Sequence, residues 1–231
     1  MVYVGALGGN FFAFPTSCSN PCSWVWHRFV LHGVSSSPAV AGGRVFVGGV
    51  DGTLYAFPTA CSDPCSPDWT ADIGAAVESS PAVANGVVYV GASDGKLRAF
   101  PAACSNPCSP LWTATMAGEI TDGPAVAKGV VYVGSHGSVT SALSAFPTAC
   151  SDPCTPLWSA DVDVTDSPAV ANGVDYVGSA DEKLYAFPAS CSNPCSPLRS
   201  IATLDTVESS PAVADGVVYV GYQNRFAAFG P

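Results

Sequence analysis

Charged side chains are scarce in this sequence. Asp, Glu, Lys and Arg together make up 11% of its 231 residues, with eight basic residues against 18 acidic ones. Nucleic-acid binding depends on Lys and Arg, which neutralise phosphates and release counterions, so a formal net charge of −10 argues against a nucleic-acid partner. Acidity of this degree favours solubility and cationic partners.

Long apolar runs are also missing. None approaches the roughly 20 residues that a membrane-spanning helix needs, so we expect a chain that is not membrane-embedded. A basic segment followed by an apolar one, typical of a secretion signal, is missing too, because Met1–Gly5 already resembles the internal Val88–Gly91. Any such signal is expected upstream of the residues shown.

Glycine and proline are abundant, with 23 and 20 copies. Such a composition with so few charges is typical of many short strands joined by turns, which predicts an all-β protein. A "SPAV"-type motif recurs every 43 or 44 residues, a period expected for the blades of a β-propeller. Its prolines are Pro38, Pro81, Pro124, Pro168 and Pro211.

Each repeat predicts a four-stranded antiparallel meander. The unit that begins at residue 79 has apolar runs at 81–84, 87–91, 96–100 and 111–114, and Asn85-Gly86 forms a hairpin-turn signal between the first two. We predict one propeller domain over residues 1–231. Its units are about 1–34, 35–77, 78–120, 121–164, 165–207 and 208–231.

The units supply 22 strands, two fewer than six complete blades contain. We therefore predict six blades, the first and last of them incomplete. A fragment of a seven- or eight-bladed ring is the alternative. Incomplete blades leave strand edges that could accept another chain, so self-assembly is open.

The stretch "SPAVANGVVYVGASDGKLRAF" followed by "LWTA" resembles the repeat of the pyrroloquinoline-quinone-like β-propeller family. That family includes quinoprotein dehydrogenases and the propeller lipoprotein of the outer-membrane β-barrel assembly machinery. The resemblance implies a fold but not a single function. The repeat's Trp occurs at Trp26, Trp69, Trp112 and Trp158, whereas the fifth unit has Arg199, so packing between blades is expected to differ there.

All ten cysteines occur in five copies of a "CSxPC"-type pentapeptide between the third and fourth strands. Pro, Asn and Asp favour a turn that brings two cysteines within disulfide reach, so we predict five local disulfides and an oxidising compartment, periplasmic or extracellular. Metal binding and inter-chain bonds are the alternatives. The pairs are Cys18–Cys22, Cys61–Cys65, Cys104–Cys108, Cys150–Cys154 and Cys191–Cys195.

Most acidic residues fall in the turns between second and third strands and in the connections between units, which share one face of a propeller. Those just before the innermost strand are expected near the axis, where a ring of carboxylates could hold Ca²⁺ or a basic peptide. Solvated turn carboxylates are the simpler interpretation. The candidates are Glu78, Asp122, Asp166 and Glu208.

Catalytic signals are weak. The three histidines, His27, His32 and His136, have no recognisable triad spacing, and we expect no insertion that departs from the repeat to build a substrate site. Asp175 replaces a strand valine, and we expect it to point outward or lie at an edge. We expect no cofactor, with Ca²⁺ open and pyrroloquinoline quinone disfavoured.

The near-identity of the units favours a non-catalytic extracytoplasmic scaffold that binds a protein or a surface glycan. A calcium- or sugar-dependent binding module that uses the acidic axial face is the alternative. A partial quinoprotein dehydrogenase is disfavoured.

Overall fold

A computed structural model describes residues 1–137, 140–223 and 225–230. It contains 22 strands arranged in six antiparallel sheets that follow one another along the chain. Each sheet is a meander in which sequential strands are neighbours. The predicted all-β propeller of six blades, with the first and last incomplete, is confirmed.

The first three blades comprise strands β1 to β11. Blade 1 has three strands, and blades 2 and 3 have four each. Their bounds are β1 Val2–Gly5, β2 Asn10–Phe14, β3 Trp26–Phe29; β4 Ala39–Ala41, β5 Arg44–Gly48, β6 Thr53–Pro58, β7 Trp69–Asp72; and β8 Ala82–Ala84, β9 Val87–Gly91, β10 Lys96–Pro101, β11 Trp112–Thr115.

The last three blades comprise strands β12 to β22. Blades 4 and 5 have four strands, and blade 6 has three. Their bounds are β12 Ala125–Ala127, β13 Val130–Ser135, β14 Ala142–Pro147, β15 Trp158–Ala160; β16 Ala169–Ala171, β17 Val174–Ser179, β18 Lys183–Pro188, β19 Arg199–Ala202; and β20 Ala212–Ala214, β21 Val217–Tyr222, β22 Arg225–Phe229.

The turn between the first and second strands of a blade is a tight hairpin. Asn85 and Gly86 have φ values of 51° and 77°, the left-handed conformation that these two residue types tolerate best. It places Ala84 opposite Val87 at the start of the ladder. The short alanine-rich strands β4, β8, β12, β16 and β20 lie side by side, consistent with a crowded position near the axis.

The core lies between blades rather than within them. On β9, Val88 and Val90 pack toward blade 2, whereas Tyr89 packs toward blade 4. Because successive side chains of a strand point to opposite faces, each central strand contributes to two interfaces. The faces of consecutive blades therefore interdigitate and bury the apolar surface that a single sheet would expose.

The glycine that ends the second strand allows the connection to the next blade to pack closely. A Cβ atom on Gly91 would overlap the side chain of Ile120. Ile120 itself is fully buried. The glycine of the repeated "YVG" is therefore a packing requirement at this position.

The end blades differ from the internal ones in exposure. Val2 and Val4 on β1 are exposed, and Phe226 on β22 is 72% exposed, whereas its blade 3 counterpart Leu97 is fully buried. Association of copies through these blades stays a prediction. Among the described residues, no helix is long and apolar enough to cross a membrane.

Candidate functional site

The two cysteines of each pentapeptide, which we call a Cys loop, are bonded to each other in the structure. The Cα atoms of the pairs lie 5.5 to 5.7 Å apart, within the normal range for a disulfide. No described cysteine is left free. The structure thus pairs the cysteines locally, as the sequence predicts.

The Cys loops also contact the preceding blade, which the sequence did not predict. In blade 3, Asn106 Oδ1 accepts hydrogen bonds from both the backbone N–H and the hydroxyl of Thr70, each at 3.1 Å. The N–H of Cys108 donates to the Thr70 carbonyl at 2.8 Å. One residue of the preceding outer strand is therefore held at both its backbone groups.

The same pair of contacts recurs at three other places. Asp63, Asp152 and Asn193 accept hydrogen bonds from the N–H groups of His27, Thr113 and Ser159, at 2.8, 2.8 and 3.2 Å respectively. The second cysteine of each loop donates its N–H to the carbonyl of the same outer-strand residue. At the first of these contacts, the hydrogen bond from the His27 N–H lowers the pKa of the Asp63 carboxyl.

Two places lack this contact. The first Cys loop, Cys18–Cys22, is exposed and contacts no other blade among the described residues. At the other end, Ser200 on β19 occupies the position of Thr113, and no described loop of blade 6 accepts its N–H. The Cys loops therefore join four consecutive pairs of blades, from blades 1 and 2 to blades 4 and 5.

The repeated Trp lies beside these contacts and reinforces them. Trp112 is buried between Tyr89 of its own blade and Phe146 of the next, with ring centroids 5.9 and 6.5 Å away. Its Nε1–H donates to the Thr148 carbonyl at 3.2 Å, just before the next Cys loop. Trp69 and Trp158 donate in the same way to the carbonyls of Ala102 and Ala189, so these three indoles span two blades through both apolar and polar contacts. The Nε1–H of the buried Trp26 has no hydrogen-bond partner among the described residues.

The four predicted axial carboxylates occupy two different positions. Glu78 and Glu208 lie three residues before the repeat proline and are exposed. Asp122 and Asp166 lie two residues before it and are half-buried. The second position is held in blade 3 by Ser79, whose buried hydroxyl accepts a hydrogen bond from Gly91 N at 3.2 Å.

Asp122 and Asp166 are close enough to influence each other. Burial, and then the negative charge of Asp166, raise the pKa of the Asp122 carboxyl. Asp166 accepts a hydrogen bond from the Ser210 hydroxyl at 2.5 Å. Within the described part of the chain, no group of three or more His, Cys, Asp or Glu side chains is arranged to hold a metal ion.

A corner formed by His136 breaks the repeat on the same face. The turn from Gly134 to Leu143 is longer than its blade 3 counterpart from Gly91 to Leu97. His136 Nε2 lies 2.6 Å from Thr121 Oγ1, and the His136 backbone pairs with that of Glu119.

A surface cleft of about 360 Å³ lies at this corner, lined by Thr121, Asp122, His136, Asp163, Val164 and Thr165. In the sequence, no neighbouring residues with recognisable catalytic spacing accompany His136. The extra length of its turn was the available signal. We call the surface around Asp122, His136 and Asp166 the acidic face. It carries the turns between second and third strands and the connections between blades, where most of the acidic residues lie.

The position of Asp175 in the structure contradicts the prediction made from the sequence. It was expected to point outward or lie at an edge, but it is fully buried between blades 4 and 5, at the position of Val88 and Val131 in the preceding blades. Neither carboxylate oxygen has a hydrogen-bond partner among the described residues. Burial raises the pKa of the Asp175 carboxyl well above its ordinary value.

Comparison with known proteins supports the same fold. Residues 23–106 match the family model described as outer membrane protein assembly factor BamB. No curated protein sequence matches the chain. A crystal structure of the computationally designed Ika8 protein superposes with a TM-score of 0.77 and 13% identity, over 99% of this chain and 67% of Ika8.

Two natural propellers are also similar in structure. BamB from Moraxella catarrhalis has a TM-score of 0.71 and 16% identity, over 96% of this chain and 63% of BamB. A quinohemoprotein alcohol dehydrogenase from Pseudomonas putida HK5 has a TM-score of 0.64 and 18% identity, over 84% of this chain and 40% of the enzyme.

The chain thus spans less than two thirds of each of these two natural proteins. The matched family and the superposed folds agree with each other and with the repeat read from the sequence. The predicted resemblance is confirmed for residues 23–106, which match the family model, and the superposed structures confirm the propeller fold of the chain.

Proposed function

We propose that the protein is a non-catalytic extracytoplasmic scaffold that binds a protein partner through its acidic face. The observation that carries this proposal is the set of Cys-loop contacts from blade 1 to blade 5, which fix neighbouring blades to each other at both backbone groups of one residue. A surface built on fixed elements loses little conformational entropy when a partner binds.

The acidic face is the part of the propeller where the blades differ most from one another. The cores repeat almost unchanged, whereas the turn around His136 is longer than its counterparts and forms a cleft with Asp122 and Asp163. Differences between repeats on one face are typical of binding surfaces in repeat proteins. The net charge of −10 favours a partner with a basic surface.

The similarity to BamB supports the same class of function. The matched family is described as an outer membrane protein assembly factor, and factors of that kind act on other proteins. Disulfides persist in oxidising compartments, so the five Cys loops support a periplasmic or extracellular location.

Affinity capture from the extracytoplasmic fraction of the producing organism tests the proposal. The variant combines Asp122→Asn with Asp166→Asn, which keeps side-chain shape and removes charge from the acidic face. Asp215→Asn, in a first-to-second turn on the opposite face, is the matched control. We expect the wild type and the control to retain a partner that the double variant loses, and that added salt releases.

Recovery of no partner, or equal recovery by the double variant, contradicts the proposal. A calcium-dependent binding module is the second candidate, supported by the closeness of Asp122 to the charge of Asp166. It predicts that Ca²⁺ raises the melting temperature of the wild type but not of the double variant. An unchanged melting temperature in excess Ca²⁺ removes this candidate.

A further inference from the structure

The interface between blades 5 and 6 lacks the buried indole of the earlier interfaces. Between blades 4 and 5, Trp158 lies between Tyr132 and Phe187, with centroid distances of 6.1 and 6.2 Å. In the ladders, Trp158 is paired with Ala145, and Arg199 is paired with Ala186. Arg199 therefore occupies the Trp position of blade 5.

Arg199 does not fill the space that an indole would occupy. Its side chain is exposed, and a cavity of about 210 Å³ remains between the two blades. Tyr176 and Phe229 line this cavity, and they are the counterparts of the Tyr132 and Phe187 that enclose Trp158. Leu184, Ala186 and Val218 belong to its apolar lining as well.

The size of the cavity limits what it can hold. Sites for drug-sized ligands usually have volumes of about 300–1,000 Å³, so a cavity of about 210 Å³ suits a single ring system. Its walls combine aromatic and aliphatic side chains from both blades. A flat aromatic ring matches this lining, as the buried indoles of the other interfaces show at the corresponding position.

The charge at the cavity favours an anionic group on that ring. Arg199 lines the cavity, and its guanidinium has no ion-pair partner among the described residues. Arg199 is the only charged residue among the described residues that line this cavity. Guanidinium groups bind carboxylates through paired hydrogen bonds.

We propose that the cavity between blades 5 and 6 binds a small aromatic carboxylate. The ring enters between Tyr176 and Phe229, and its carboxylate contacts Arg199 at the rim. This site is separate from the acidic face, so its test does not depend on the proposed scaffold function.

Ligand-observed NMR and calorimetry with indole-3-acetate test the proposal, with tryptamine as the cationic analogue and indole as the neutral one. For a ligand of this size in such a cavity, we expect a Kd on the order of 0.1–1 mM. Indole-3-acetate should bind at least ~5-fold more tightly than tryptamine, because one charged hydrogen-bonding contact contributes about that much or more.

Two variants separate the ring from the charge. Arg199→Trp introduces the residue found at this position in blades 1 to 4 and should abolish binding by filling the cavity. Arg199→Gln keeps the cavity, so indole should still bind while the preference for the carboxylate disappears. Arg225→Gln, on β22 outside the cavity lining, is the matched control and should bind like the wild type.

Three results would each overturn the proposal. The first is no binding of indole-3-acetate at 10 times the expected Kd. The second is equal affinity for tryptamine and indole-3-acetate. The third is undiminished binding by a folded Arg199→Trp variant, which would locate the ligand elsewhere.

Discussion

The interface between blades 3 and 4 and the interface between blades 5 and 6 are built from the same repeat. The first is closely packed, whereas the second contains a cavity. In the first, Trp112 is buried, and Asp152 and Cys154 hold Thr113 of the neighbouring outer strand. In the second, Arg199 is exposed beside a cavity, and no described loop holds Ser200.

The comparison separates what forms a blade from what joins two blades. Strand β19 still pairs with β18 over four residues, as β11 pairs with β10 in blade 3. The outer strand therefore forms without a Trp and without a Cys loop over it. The indole and the Cys loop act between blades, and their loss opens an interface rather than unfolding a sheet.

The largest predicted effect comes from removing an indole from a closed interface. Trp112→Ala should lower the free energy of unfolding by about 3–5 kcal/mol, because a fully buried aromatic side chain is replaced by a cavity. Arg199→Ala, the same truncation at the open interface, should change it by less than about 0.5 kcal/mol. Urea denaturation measures both, and equal losses would remove the distinction between the two interfaces.

The second prediction concerns Asp175, whose carboxyl group is buried without a hydrogen-bond partner in the interface between blades 4 and 5. Replacing it by the valine found at 88 and 131 should raise the free energy of unfolding by about 1–3 kcal/mol at pH 3, where the carboxyl is neutral, since an unpartnered buried polar group is removed, and by more at pH 7. Tyr132 is the titratable group that faces it. Thermal or urea unfolding of Asp175→Val beside the wild type measures the gain.

The same variant predicts a pH dependence with a definite sign. The pKa of Asp175 is raised in the folded state, so its carboxyl is neutral in both states only well below the ordinary Asp pKa of 3.8, and the two proteins differ least there. As pH rises toward the folded-state pKa, ionisation favours the unfolded wild type by up to about 1.4 kcal/mol per pH unit. A difference between variant and wild type that is constant from pH 3 to 8 contradicts the buried, unpartnered carboxyl.

The third prediction closes the open interface. Arg199→Trp should raise the free energy of unfolding by about 1–2 kcal/mol, because an indole between Tyr176 and Phe229 fills an existing cavity. Arg225→Trp, at an exposed position of blade 6, is the control for simple addition of an aromatic ring. If the fluorescence that the Arg199→Trp variant gains over the wild type is typical of a fully exposed indole, the cavity does not accept the ring.

The smallest predicted effect comes from one Cys-loop side chain. Asp152→Ala removes the acceptor for Thr113 N–H and should lower the free energy of unfolding by about 1 kcal/mol. Asn20→Ala removes the equivalent side chain from the exposed first Cys loop, which contacts no other blade among the described residues. It should leave the free energy of unfolding unchanged. If the two substitutions lower the free energy of unfolding equally, the Cys loops stabilise only their own hairpins and do not join blades.

The sequence predicted most of the fold for a clear reason. Five copies of one unit repeat the same alternation and the same turn residues, so strand order and blade number follow from local signals. The local cysteine pairing followed in the same way. The partner of Asn106 could not be predicted, because Thr70 lies in another blade and only the three-dimensional arrangement brings the two residues together.

Two other outcomes show where pattern reasoning was too coarse. Asp175 aligns with the buried Val88 and Val131, and this alignment is the sequence signal for an inward position that the prediction of an outward or edge position did not use. The candidates Glu78 and Asp122 were treated as one ring although they differ by one residue relative to the repeat proline. That single step makes one side chain exposed and the other half-buried.

Amide hydrogen exchange of Thr113, compared between the wild type and Asp152→Ala, tests most directly whether the Cys loops join blades. Thr113 N–H donates across the blade boundary to Asp152. The account predicts slow exchange of Thr113 and Thr70 in the wild type, with selective acceleration of Thr113 in the variant. An unchanged Thr113 rate, or the same fast exchange in the wild type as for Ser200, would contradict it.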